Sequence, residues 1–106
     1  MANKKYYWLK LKKDFFKEDT IAWLEEQPCG ETLVIIYLKM LLKSLNSNGF
    51  FKIDKLFSTG EEELALILDE DVSLVSYALD VFLSIGLVKK DEQGNFIVMN
   101  IMEREV

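Results

Sequence analysis

Residues 59–99 read TGEEELALILDEDVSLVSYALDVFLSIGLVKKDEQGNFIVM, and this stretch decides the fold. Ser58 and Thr59 each have a glutamate three residues on (Glu61 and Glu62), the spacing of a capping box at a helix start. Glu61, Glu62 and Glu63 in the first turn suit the positive end of the helix dipole, and Leu64, Ile67 and Leu68 supply an inner face. Asp69-Glu70-Asp71 makes a tight turn, after which Asp71 caps a helix of about Val72 to Ile85 that Gly86 stops. Leu87-Val88-Lys89-Lys90 and Phe96-Ile97-Val98-Met99 flank Asp91-Glu92-Gln93-Gly94-Asn95, which predicts a hairpin with glycine in its loop.

Upstream, Val34, Leu38, Leu41, Leu42 and Leu45 keep helical spacing from about Glu31 to Leu45. Leu33, Ile36, Tyr37 and Met40 widen that stripe, so only Thr32, Lys39, Lys43 and Asn46 mark a wet side and the helix is expected at the centre. Asn46-Ser47-Asn48-Gly49 tolerates left-handed backbone and ends it, and Phe50-Phe51-Lys52-Ile53 reads as a short strand. An earlier short helix begins near Asp19, turns Ile21 and Leu24 inward with Trp23 close to the same face, and stops before Pro28. Alternation of Tyr7, Leu9 and Leu11 with Trp8, Lys10 and Lys12 predicts an N-terminal strand. The fold class is therefore α+β, a winged helix-turn-helix of four helices, a short strand and a C-terminal hairpin wing, preceded by an N-terminal strand. All of residues 1–106 is expected to form one domain. The tail Ile101-Met102-Glu103-Arg104-Glu105-Val106 has no helix stop and reads as the place where a longer protein was cut.

Composition narrows the function. With 50% hydrophobic and 29% charged residues in 106, the chain has material for one core and is not expected to be disordered. The single Cys29 excludes a disulfide framework and a cysteine-rich zinc site. The absence of histidine removes the commonest general base and metal ligand. Neighbouring glutamates in the run 61–63 point to different helix faces and cannot close on one ion, so no cofactor and no catalysis are expected. The longest apolar run stops at Lys39, which leaves no membrane partner and a cytoplasmic protein as the expectation. Net charge is −5, but the first 55 residues carry ten lysines against seven acids, and the remainder three basic residues against eleven acids. In the first segment Lys4, Lys5, Lys10, Lys12, Lys13 and Lys17 alternate with Tyr6, Tyr7, Trp8, Phe15 and Phe16. Such a mixture can hold phosphates and stack on bases; the plainer reading is that its aromatics enter the core while the lysines keep it wet.

Three blocks in order resemble one known family. Tyr6-Tyr7-Trp8-Leu9-Lys10-Leu11 with Asp14-Phe15-Phe16 is similar to the opening motif of the phage replisome organiser N-terminal domain. Gly30, Thr32 and the run Ile35 to Leu42 resemble its long helix, and Glu62 to Leu66 with Leu68 to Asp71 its next helix and turn. The resemblance covers residues 4 to 100. It implies a winged-helix domain of a replication initiator, related to DnaD-like and RepA-type N-terminal domains, that binds double-stranded origin DNA, self-associates as a homodimer or higher oligomer, or does both. A helicase or helicase loader is the partner it implies for a separate C-terminal region absent from this chain.

For DNA the candidates are Ser73, Ser76 and Tyr77 in the major groove and Lys89 and Lys90 at the base of the wing, with Lys52 and Lys55 adding phosphate contacts. The predicted groove helix lacks Arg, Lys, Asn and Gln, the usual base readers, and carries Asp80 on the same arc. A merely solvated arc is the plainer reading of its polar residues. For self-association the candidates are Tyr6 and Trp8, outward on an edge strand, and the broad apolar surface of the helix after Asp71. An oligomerisation scaffold without DNA contact and a winged-helix transcriptional regulator remain the alternatives.

Overall fold

The computed structural model describes residues 8–54 and 59–103, with side chains through residue 102. Four helices run in the order α1 (Asp19–Glu25), α2 (Gly30–Lys43), α3 (Gly60–Leu68) and α4 (Val72–Ser84). Strand β1 (Phe50–Phe51) separates α2 from α3, and β2 (Val88–Lys90) with β3 (Phe96–Val98) follows α4. The three strands form one antiparallel sheet in the order β1-β3-β2, so the wing hairpin recruits the short strand beside it. This is the α+β, winged-helix-like arrangement expected from residues 59–99.

Local chemistry explains the boundaries. Thr59 Oγ1 accepts the Glu62 amide at 3.1 Å and starts α3. Asp69 ends it with a left-handed backbone at φ 56°. Asp71 Oδ2 then accepts the Ser73 and Leu74 amides at 3.0 and 3.3 Å, and α4 begins three intervening residues after α3 ends. Between α1 and α2 the chain turns so sharply that a β-carbon on Gly30 would lie 2.3 Å from the Glu25 carbonyl oxygen. Gly49, at φ 86°, has Val98 O as close to its own virtual β-carbon, which admits β3 against the turn that leaves α2.

Buried residues from every helix and strand form one hydrophobic cluster. At its centre Tyr37 is fully buried, edge-on to Phe82 of α4 with ring centroids 6.0 Å apart. Its hydroxyl donates to Met99 O at 2.6 Å and accepts from the Ile101 amide at 3.1 Å. The central helix thereby holds the chain leaving the wing. Lys39, assigned to the wet side of the sequence pattern, instead donates to Glu70 Oε2 at 2.5 Å and Leu68 O at 3.3 Å, tying α2 to the α3–α4 turn. Both side chains keep some solvent, so the pair contributes about 1 kcal/mol or less.

Several expectations are corrected. No strand forms in residues 8–12: Leu9 is half-buried, Leu11 exposed, and Tyr6 and Tyr7 lie outside the described residues. Two features replace the strand, an irregular segment and a 3₁₀ turn at Phe15–Lys17 that buries Phe15 and leaves Phe16 out. On α2 the buried side chains after Gly30 are Leu33, Val34, Ile36, Tyr37, Met40 and Leu41, while Leu42 is exposed. Ile67 of α3 also faces out, and Glu63 takes an inward position where its carboxylate accepts the Asp54 amide at 2.7 Å. Ile101 is buried, and residues 101–103 form a 3₁₀ turn.

Candidate nucleic-acid interface

The groove helix expected from the sequence is α4. Its buried line is Val75, Ala78, Leu79 and Phe82, the ordinary i, i+3, i+4, i+7 stripe. The wider apolar surface divides: Leu74 and Val81 are half-buried, whereas Val72, Leu83 and Ile85 are exposed near the ends. On the polar arc Ser73, Asp80 and Ser84 are exposed, and Ser76 and Tyr77 are half-exposed. Ser73 Oγ donates to the Asp71 carboxylate, and Tyr77 Oη donates to Pro28 O at 2.7 Å. Two of the three hydroxyls expected to read a groove thus serve the helix start and the α1–α2 turn. Hydrogen bonds from Ser73 foremost, and from the Leu74 amide, hold the Asp71 carboxyl below its ordinary pKa.

The wing is short and closed on itself. Asp91 Oδ1 accepts the Gln93 and Asn95 amides at 2.9 and 2.8 Å, and Oδ2 accepts Asn95 Nδ2 at 3.0 Å. These bonds, the Asn95 side chain first, lower the Asp91 pKa and keep a negative charge at the wing tip beside exposed Glu92. Asn95 Oδ1 in turn accepts the Ile53 amide at 2.8 Å, which locks the loop to the exit of β1. An asparagine ending an Asp-x-x-Gly-Asn loop was the available signal for this lock.

The register assigns the lysines. Phe50 pairs with Ile97, and Ile97 with Lys89, so one row crosses all three strands. The partners of the adjacent row, Phe51 and Phe96, are buried, and by the alternation of strands the row of Phe50, Ile97 and Lys89 faces outward. Phe50 and Lys89 are exposed and Ile97 half-exposed. Lys52 continues the alternation as an exposed residue before buried Ile53. Lys90 lies across the Phe96 ring, its Nζ 5.6 Å from the centroid, a cation–π contact that leaves it exposed at the sheet edge. Lys55 lies outside the described residues, as does Tyr6. Trp8 is described, and 69% exposed. The structure therefore groups Lys52 and Lys89 with Phe50 and Ile97 on one sheet face. Sequence reading missed Phe50 and Ile97, whose outward position depends on strand register.

Among the described residues no group of three or more Cys, Asp or Glu side chains is placed to hold a metal ion, and no helix is long and apolar enough to cross a membrane.

A four-helix domain carrying a three-stranded wing sheet, with a basic and aromatic outer sheet face, defines a winged-helix-like module. The model of the family described as N-terminal phage replisome organiser matches residues 8–105, and the chain belongs to that family. Neither the curated proteins nor the solved structures compared with the chain match it.

Proposed function

We propose that this domain acts in DNA replication initiation by binding double-stranded DNA through the outer face of its wing sheet, in a cytoplasmic protein that also self-associates. Membership of the replisome organiser family supports the replication role. The observation that carries the DNA reading is the outward row of Phe50, Ile97 and Lys89, flanked by Lys52 and containing no carboxylate. Lysines at this density bind phosphate by releasing counterions, and their effect is local because a net charge spread over the molecule is screened within about 8–10 Å. With Ser73 and Tyr77 committed to intramolecular partners, α4 contributes fit against the groove more than base discrimination. The acidic tip, Asp91 and Glu92, keeps phosphate off the end of the wing, so the contact falls along its face.

An oligomerisation scaffold is the second reading, favoured by Ile35 and Leu42. They are one heptad apart on the same side of α2, both about half exposed at 49% and 52%, with half-buried Leu38 between them. The edge pairing expected of Tyr6 and Trp8 has no strand to run on in residues 8–12, which moves the candidate self-association surface to α2.

Fluorescence anisotropy on a labelled duplex over a salt series, with light scattering of the free protein, tests both readings. Replacing Lys89 and Lys90 by glutamate should abolish duplex binding, and the wild-type affinity should fall steeply with salt. Unchanged affinity in that variant rejects the sheet face. A salt-indifferent oligomer with no duplex binding favours the scaffold.

A further inference from the structure

We propose that residues 8–12 and the chain after β3 form a second nucleic-acid site, a groove that takes single-stranded DNA. The groove has a volume of about 460 Å³ and is lined by Trp8, Lys10, Lys12, Leu45, Asn100 and Met102 among others. Leu45 and Met102 are half-buried and give it an apolar floor, while Trp8, Lys10 and Lys12 stand exposed along it. Asn100, whose Oδ1 is committed to the Met102 amide at 2.9 Å, brings a side-chain amide donor to the same place.

The occupant follows from the chemistry. Residues 8–17 carry four lysines against one carboxylate, Asp14. Glu18 offsets Lys12 only across 3.9 Å, with both side chains solvated. This positive segment attracts an anionic partner, and its exposed indole can stack on a flat π-face. In a duplex the faces of the bases are covered by their neighbours in the stack, whereas an unpaired strand offers both a face and a phosphate at every nucleotide. A lipid surface also accepts indole and lysine, but it favours side chains that protrude from a convex face, and these line a concavity. Phe16, 58% exposed and edge-on to buried Phe15 at 5.0 Å, offers a second stacking ring at the end of the segment. None of Phe50, Lys52, Lys89 and Ile97 lines this groove, and the proposal does not depend on the duplex reading.

Trp8 reports on the site directly. The chain has two tryptophans, so a Trp23→Phe protein leaves Trp8 as its sole indole. Titration with a dT oligonucleotide of about 15 nucleotides should quench its emission, and the matching duplex should not. Trp8→Ala in the otherwise native chain should weaken binding of labelled oligonucleotide roughly tenfold, with circular dichroism unchanged. Lys10→Glu with Lys12→Glu should weaken it further and flatten its salt dependence. Lys89→Glu with Lys90→Glu should leave it unaltered, so a failed wing assignment and a failed groove are told apart. The proposal is overturned if the oligonucleotide leaves Trp8 emission unchanged, if duplex or vesicles of phosphatidylglycerol quench it equally, or if the emission shifts with protein concentration alone.

Discussion

Helix α4 and the segment of residues 8–17 make an instructive pair. The helix occupies the position from which winged-helix proteins commonly enter DNA, yet Ser73 donates to Asp71 and Tyr77 to Pro28, and both hydroxyls hold the fold together. The segment has no regular strand and lies outside the helix-turn-helix, yet it leaves Trp8 and Phe16 in solvent among four lysines. Place in a motif and availability for binding are different properties. A hydroxyl that already has a protein partner must lose it before it can serve a ligand, while an exposed indole has nothing to give up.

The comparison can be tested from the fold outward. Tyr37→Phe removes the hydroxyl shared by Met99 O and the Ile101 amide and deprives a buried amide and a partly buried carbonyl of that partner. We expect a loss of about 2 kcal/mol in urea denaturation, with duplex affinity falling alongside because the wing's exit strand is loosened. Stability reduced by less than about 0.5 kcal/mol would show that water replaces the hydroxyl. Tyr77→Phe sharpens the contrast itself: stability should drop by about 1 kcal/mol while duplex affinity holds. The reverse result, intact stability and lost affinity, would return Tyr77 to the groove. The smallest effect belongs to acid. Asp71 and Asp91 have folded pKa values below the ordinary 3.8, so their contribution to stability is complete above that value and is lost as pH falls through the folded pKa. Thermal melts should show the decline below pH 3.8, and Asp71→Asn should make it shallower; an equal slope in the variant would detach it from the α4 cap.

Much of the architecture was legible because its signals are local. Thr59 with Glu62, Asp71 ahead of α4, and the glycines after α2 and in the wing loop each act over four residues or fewer, and each forms as the pattern required. The N-terminal alternation misled for the same reason. Alternate residues define a strand only if a neighbouring edge supplies hydrogen bonds, and residues 8–12 pair with none of the strands of the β1-β3-β2 sheet. Ile67 and Leu42 were assigned inward from hydrophobicity, but which side of a helical stripe is covered depends on the packing of its neighbours. Of the candidate site, Lys89 and Lys90 could be placed beside the wing from the sequence; the row joining Phe50 and Ile97 to Lys89 could not.

Caps, turns and helical periodicity made the order of elements a property of the chain alone, since the groups involved meet whatever the rest of the molecule does. Three-dimensional packing decided the rest: that Tyr37 secures the tail, that Lys39 bridges two helices, and that Trp8 stays in water. Those outcomes depend on groups up to 64 residues apart competing for the same buried space and the same unpaired backbone. No pattern within a short window records which of them wins.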